Sequence, residues 1–141
     1  MEKREKPISR DTNKAICLRH YQEVLTGKRL EVVDEIYGDQ IKVGDGGSIP
    51  RDQFKGIVAM SITAFPDLVI TVHDQVAEGD RVVTRWSGEG THMGDFMGHG
   101  GTGKKVKIKA IHIHQVVDGR IVTLWEEIDM LGLSKQLGIA I

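Results

Sequence analysis

The chain has 141 residues, of which 40% are apolar and 28% are charged, and its formal net charge at pH 7 is −1. This length predicts a single domain, residues 1–141, that can bury a hydrophobic core of its own. The balanced charge offers no general attraction for nucleic acid, so we expect no nucleic-acid partner. Because Cys17 is the one cysteine of the sequence, an intrachain disulfide is excluded.

The N-terminal stretch MEKREKPISRD is charged and lacks the apolar segment of a signal peptide. No run of the chain approaches the roughly 18 apolar residues of a membrane-spanning helix. We therefore expect a cytoplasmic protein without membrane association, and we expect residues 1–10 to be flexible.

The front half of the chain is predicted to be helical. Ser9 or Asp11 can cap a first helix, whose apolar face comprises Ile16, Cys17, Tyr21, Val24 and Leu25. A short second helix is expected over Leu30–Tyr37, before the loop VGDGG. Ser48 and Pro50 are typical of the start of a third helix, whose inner stripe comprises Phe54, Ile57, Val58, Ser61 and Phe65.

The back half is predicted to be a sheet followed by a short helix, LGLSKQLG. Alternating apolar residues predict strands at Leu68–Ala77, Arg81–Thr91, Lys105–Val117 and Arg120–Ile128. Helices followed by long antiparallel strands indicate the α+β class. The glycine-rich segment between the second and third strands lacks the spacing of a phosphate-binding loop and precedes a strand, so nucleotide binding is not expected.

The stretch KAIHIHQVVDGRIVTLWEEID, residues 109–129, is typical of a β-hairpin that turns at Asp118. It carries His112, His114 and Glu126 among apolar residues. Because successive strand residues face opposite sides of a sheet, the register of the hairpin decides whether these groups form one site.

Two registers are compatible with the pattern. A two-residue turn sets His112 opposite Trp125 and places both histidines on the face opposite to Glu126. A three-residue loop with a bulge sets His112 opposite Leu124 and places both histidines on the Glu126 face, with His112 and Glu126 as diagonal neighbours.

In either register Glu126 lies between Leu124 and Ile128 on its own face. Burial among apolar side chains raises the pKa of a carboxyl group, and a raised pKa suits it to act as a general base near neutral pH. Glu126 is therefore the first candidate for a catalytic residue.

Several segments of the chain resemble the SnoaL-like polyketide cyclase family. They are AFPDL (64–68), GTHMGDFMGHGGTGK (90–104), VVDGRIVTLWEEID (116–129) and KQLG (135–138). The resemblance runs from the first helix to Gly138. It implies a cone-shaped α+β barrel, in which N-terminal helices cover a strongly curved antiparallel sheet and an apolar pocket lies between them.

The resemblance also implies a chemistry. The family's cyclases use an aspartate on the final strand as acid/base in an aldol-type ring closure, without metal or cofactor, and that position falls on Glu126. A pocket histidine falls on His112, which favours the bulged register. The implied substrate is a small apolar carbonyl compound, for ring closure or enolisation, in a pocket lined by Tyr21, Phe54, His92, His114, Leu124 and Ile128.

Two other interpretations remain open. His112, His114 and Glu126 form an N,N,O set of the kind that binds zinc or iron. Alternatively, the fold serves as a non-catalytic module for binding a small ligand or for dimerisation. A homodimer is expected through an outer sheet face formed by Ile121, Thr123 and Trp125, unless the chain's own terminus covers Trp125. Asp129 is expected to cap the last helix.

Overall fold

A computed structural model describes residues 10–140. The helical segments are α1 (Arg10–Arg19), a π-helix that continues it (His20–Thr26), a 3-10 turn (Leu30–Val32), α2 (Val33–Ile36), α3 (Arg51–Ala64) and α4 (Met130–Leu137). The strands are β1 (Tyr37–Val43), β2 (Ser48–Pro50), β3 (Val69–Glu78), β4 (Arg81–Thr91), β5 (Lys105–Val117) and β6 (Arg120–Ile128). The predicted cap at Ser9 and the expected flexibility of residues 1–9 lie outside the described residues, whereas Arg10 already belongs to α1.

The six strands form one curved sheet in the order β2-β1-β6-β5-β4-β3. The predicted α+β class and the helix-covered sheet are confirmed. The sheet is mixed rather than wholly antiparallel, because β1 runs parallel to β6. Within the described residues β2 and β3 do not pair, so the curved sheet stays open instead of closing into a barrel.

Two boundaries in the front half differ from the prediction. The second helix ends at Ile36, and Tyr37 begins β1. Ser48 belongs to β2 instead of capping a helix, and Pro50 occupies the cap position of α3 with extended backbone. The extended conformation suits Pro50, since its fixed φ is allowed there and the following residues start the helix without using its missing N–H.

The turn of the β5–β6 hairpin has two residues. Asp118 and Gly119 both have positive φ, 51° and 78°, as a type I′ turn requires. Val117 consequently pairs with Arg120, as in the first of the two predicted registers.

A bulge at Val122 then changes the register within β6. The pairs on its two sides are Val116 with Ile121 and Gln115 with Thr123. Val122 is thus an extra residue in the ladder, and beyond it His112 lies directly opposite Glu126. Neither predicted register is right, because the bulge lies in the strand and not in the turn.

The bulge also corrects the predicted dimer contact. Ile121 is 0% exposed and Thr123 is 5% exposed, so neither is available to a partner. Ile121 precedes the extra residue and packs in the core, while Thr123 bonds through its hydroxyl to Gln115. Of the three predicted contact residues, Trp125 alone remains partly exposed on the outer face.

The C-terminal helix begins as predicted. The Asp129 carboxylate accepts a hydrogen bond from the backbone N–H of Gly132 at 2.8 Å, which caps α4. Gly138 ends the helix in the left-handed conformation. Among residues 10–140, no helix combines the length and the apolar character needed to cross a membrane.

Candidate active site

A cavity of about 210 Å³ lies between the inner face of the sheet and the helices. Most of its wall is apolar and includes Phe54, Leu124 and Ile128, three residues that the sequence assigned to a pocket. Its polar side chains come from both layers: His20, Ser61, Trp86, His112 and Glu126. The cavity is therefore an apolar space with a small number of polar groups, as is usual for small-molecule sites.

The polar groups of the sheet form a row across three strands. Thr84 on β4 lies directly opposite His112 on β5, and His112 lies directly opposite Glu126 on β6. Because directly opposed residues share a face, all three side chains point to the helical side of the sheet.

His112 and Glu126 are hydrogen-bonded. The distance from His112 Nε2 to Glu126 Oε2 is 2.9 Å. The two side chains differ in exposure, 5% for the imidazole and 45% for the carboxylate. The expectation of a carboxylate buried among apolar residues is therefore wrong, since β6 brings Glu126 to the open side of the cavity.

The other ring nitrogen of His112 fixes the tautomer. Trp86 Nε1 donates to His112 Nδ1 at 3.0 Å, and the Tyr21 hydroxyl lies 2.7 Å from the same atom. An indole N–H can only donate, so Nδ1 must be an acceptor. In neutral His112 the proton consequently resides on Nε2, where it is donated to Glu126.

Tyr21 supports this arrangement from behind the cavity wall. It is 0% exposed and does not line the cavity, although the sequence assigned it to the pocket. Burial raises the pKa of Tyr21 above its usual range, so the phenol keeps its proton and remains a donor for His112.

Two other predicted pocket residues also lie behind the wall. His114 is 0% exposed, and neither of its ring nitrogens has a hydrogen-bond partner among the described residues. His92 is 0% exposed and stays outside the cavity wall; its Nδ1 lies 3.0 Å from the Thr102 hydroxyl, and its ring packs on Phe65. Phe65 itself lines the cavity, so His92 contacts the cavity wall through Phe65 without reaching the cavity.

His20 lines the cavity and was not identified from the sequence. It begins the π-helix, is 5% exposed, and its Nδ1 lies 3.0 Å from the Tyr37 hydroxyl. Burial lowers the pKa of His20 to about 3, and the nearby His112 adds to this effect. The sequence could have indicated His20 by its spacing. It lies three residues after Cys17 and four before Val24, which places it on the buried face of the first helical segment.

The metal interpretation has no geometric support in residues 10–140. No group of three or more His, Cys, Asp and Glu side chains is placed there to hold a metal ion. Both ring nitrogens of His112 have protein partners, and His114 lies behind the wall.

Solved structures with the same fold cover nearly the whole chain. A candidate SnoaL-like polyketide cyclase from Jannaschia sp. CCS1 has a TM-score of 0.84 over 99% of this chain and 100% of its own, at 20% identity. IdmH, a candidate polyketide cyclase from Streptomyces antibioticus, has a TM-score of 0.75 at 29% identity, over 90% of this chain and 99% of its own. AclR, a candidate hydroxylase from Streptomyces galilaeus, has a TM-score of 0.82 at 29% identity, over 92% of this chain and 83% of its own.

A comparison with curated proteins gave no significant match. The sequence model of the SnoaL-like polyketide cyclases, by contrast, matches residues 15–137, from within α1 to the end of α4. This range contains the cavity, the hydrogen-bonded His112–Glu126 pair and the aromatic donors behind it. The chain therefore belongs to the SnoaL-like polyketide cyclase family.

Proposed function

We propose that this protein is a cofactor-independent acid/base enzyme that enolises a small, mostly apolar carbonyl compound, leading to aldol-type ring closure or isomerisation. The observation that carries the proposal is the Glu126 carboxylate, held by His112 at the wall of an apolar cavity. The similarity to IdmH, a candidate polyketide cyclase, supports ring closure as the outcome.

Glu126 acts as the base in the proposed reaction. Its Oε2 accepts from His112, while Oε1 has no hydrogen-bond partner among the described residues and is available to substrate. The carboxylate takes a proton from a carbon next to a carbonyl group, and the C–H electron pair moves to form the enolate. The enolate carbon then attacks a second carbonyl carbon, and the resulting alkoxide takes the proton back from Glu126. A positioned base of this kind contributes roughly 10²- to 10⁴-fold.

The cavity limits the size of the substrate. An engineered apolar cavity of about 150 Å³ accommodates benzene. The cavity here is about 210 Å³, which suits a compound of one or two rings. The proposed substrate is accordingly a compact cyclic ketone, or an open chain that closes to one or two rings.

The proposal is tested by proton exchange in β-tetralone, a two-ring ketone with acidic protons next to its carbonyl group. The protein in D₂O is expected to accelerate loss of these protons, followed by NMR. Glu126→Gln is expected to lower the catalysed rate by roughly 10²-fold or more, because an amide is not a base at this position.

Glu127→Gln is the matched control, since Glu127 is the next residue and is exposed on the other face of β6. Unchanged exchange in this variant supports the assignment to Glu126. Equal loss in both variants, or full activity of Glu126→Gln, contradicts it. Binding of β-tetralone without catalysed exchange would instead favour the non-catalytic ligand-binding module.

We also propose a homodimer, formed through the outer face of β5 and β6. Ile111 is 45% exposed there, and Ile113 and Trp125 are partly exposed beside it. The Arg81 guanidinium covers part of the Trp125 ring, at 4.9 Å from its centroid. Apolar side chains grouped on one sheet face in this way favour contact with a second copy of the chain.

Replacement of Ile111 by glutamate is expected to convert the dimer to a monomer, because a charge would be buried in the contact. Light scattering coupled to gel filtration measures the mass, which should halve. Leu131→Glu is the control, since Leu131 is 67% exposed on α4. A wild-type protein that is monomeric at micromolar concentration contradicts the proposed dimer.

A further inference from the structure

His20 presents a ring nitrogen to the cavity without a protein partner. Its Nδ1 lies 3.0 Å from the Tyr37 hydroxyl, whereas Nε2 has no hydrogen-bond partner among residues 10–140. Nε2 is not one of the fully buried polar atoms that lack a hydrogen-bond partner, so it retains some solvent exposure. The imidazole itself lines the cavity. Nε2 is therefore reachable by a bound ligand.

Tyr37 determines whether this nitrogen donates or accepts. Tyr37 is 0% exposed, and His20 Nδ1 is the hydrogen-bond partner of its hydroxyl in the described structure. If Nδ1 carried the proton, the phenol hydrogen would be buried without an acceptor, and a buried donor without a partner is destabilising. The phenol therefore donates to Nδ1, and the imidazole proton is on Nε2, facing the cavity.

The imidazole is uncharged near neutral pH. The rings packed against His20 are those of Tyr21, Tyr37, His112 and His114, with centroids 5.1–6.1 Å away. None of these groups carries a negative charge at pH 7 that would favour an imidazolium. Burial holds the pKa of His20 at about 3, so it donates a hydrogen bond without having to lose or gain a proton. A neutral imidazole can stabilise a developing enolate in this way.

The proposed reaction requires such a donor. The N–H of His112 is already donated to Glu126, so a second group has to meet the carbonyl oxygen as it becomes negative. The two imidazole centroids are 6.1 Å apart. Since His20 and Glu126 both line the cavity beside His112, a ligand in the cavity can place its acidic carbon at Glu126 and its oxygen at His20.

We propose that the Nε2–H of His20 binds the oxyanion of the ligand, and that the ligands of this cavity are compounds that present an enolate or a phenolate oxygen. The inference rests on the proposed function in one respect, since Glu126 is taken as the base that creates the enolate. Phenolates are stable counterparts of that enolate, so they allow His20 to be tested without turnover.

The experiment uses para-nitrophenol, whose phenol and phenolate forms differ in absorbance. Glu126→Gln serves as the host, because its neutral amide represents the enzyme after the carboxylate has taken a proton. We expect the host to bind phenolate in preference to phenol. Adding His20→Phe should weaken phenolate binding about 10- to 100-fold, which is the usual worth of a hydrogen bond to a charged group. Binding of uncharged nitrobenzene should change by less than about threefold.

His73→Phe in the same host is the matched control, since His73 lies on β3 and bonds to Ser87, outside the cavity wall. Unaltered phenolate affinity in this variant and loss in His20→Phe support the inference. Equal phenolate affinity with and without His20 overturns it.

A second measurement does not depend on the fold tolerating His20→Phe. Nitrogen NMR of the wild-type protein should show His20 protonated at Nε2, and Tyr37→Phe should mix the two tautomers and weaken phenolate binding. A proton on Nδ1 in the wild type overturns the inference. Failure of the proposed function can be distinguished from failure of this inference. If Glu126 is not the base, Glu126→Gln retains proton exchange in β-tetralone, whereas the effect of His20 on phenolate affinity is measured independently of that exchange.

Discussion

Between pH 6.5 and pH 4.5, the free energy of unfolding is expected to fall by about 2 kcal/mol through His20 alone. The pKa of His20 is lowered by burial to about 3, whereas an unfolded histidine titrates near 6.5. The unfolded chain therefore binds more protons, and stability rises with pH in this window. This contribution is complete above about pH 7 and is lost progressively as the pH falls toward 3. His114 acts in the same direction, because burial holds its pKa well below the usual value.

Urea unfolding at a series of pH values measures this dependence. His114→Leu should reduce the slope below pH 6.5 and should also be more stable than the wild type at pH 8, because it removes two buried nitrogens without partners. His73→Gln, a change at an exposed histidine, is the control for the effect of replacing a histidine. A free energy of unfolding that does not fall between pH 6.5 and pH 4.5 would contradict the role of His20, and identical slopes for the wild type and His114→Leu would contradict that of His114.

Removing both donors behind His112 is expected to lower the rate of proton exchange in β-tetralone by about 10²- to 10³-fold. In Tyr21→Phe/Trp86→Phe nothing holds Nδ1 as an acceptor, so the imidazole can protonate there and turn a lone pair toward the Glu126 carboxylate. A wrong histidine tautomer is costly in other enzymes that depend on its orientation, with losses up to about 10⁴-fold in a serine protease.

The measurement separates positioning from substrate binding. In Tyr21→Phe, which lies behind the cavity wall, we expect a partial loss in kcat with little change in KM, whereas Trp86→Phe should also change KM because Trp86 lines the cavity. Trp125→Phe is the control, because it makes the same change at the other tryptophan, on the outer face. A double variant with wild-type exchange, or one whose His112 remains protonated at Nε2 in nitrogen NMR, would contradict the role of Trp86 and Tyr21.

The long strands could be predicted from the sequence because their alternation is strong and local. Arg81–Thr91, Lys105–Val117 and Arg120–Ile128 begin and end in the structure at the predicted residues. In β4 and β5 one face meets the helices and the other is largely exposed, so the pattern has period two, while β6 is indicated by the short turn that joins it to β5. The cap at Asp129 was predictable for the same reason, since it depends on neighbouring residues alone.

The strand β1 could not be predicted in this way. Its sequence, YGDQIKV, contains a Gly-Asp pair and does not alternate cleanly, and it is irregular in its parallel pairing with β6. Parallel pairing depends on a strand some eighty residues later in the chain. A pattern read over a short window does not contain that information, so the segment looked like the end of a helix followed by a loop.

The sequence indicated the central pair of the candidate site but not the contacts around it. Glu126 and His112 were identified from the hairpin and the family resemblance, and they are hydrogen-bonded in the structure. The donors Trp86 and Tyr21 could not be assigned to His112, because they come from β4 and the first helical segment and meet only when the fold is complete. His20 was not predicted because the buried face of a helix is identified from its apolar residues. The His20 imidazole occupies a position on that face where an apolar side chain is expected.

The extra residue at Val122 determines on which face of the sheet the Glu126 carboxylate lies. In an uninterrupted ladder from the same turn, Glu126 would lie opposite Ile111 and would point away from the helices. Closing the bulge without losing a residue would therefore turn the carboxylate to the outer face, whereas deletion of one residue between the turn and Glu126 would give a regular ladder that keeps Glu126 opposite His112. A relative whose hairpin is one residue shorter at this point can thus keep the same pair on the same face, and a gap at Val122 in an alignment is compatible with an unchanged site.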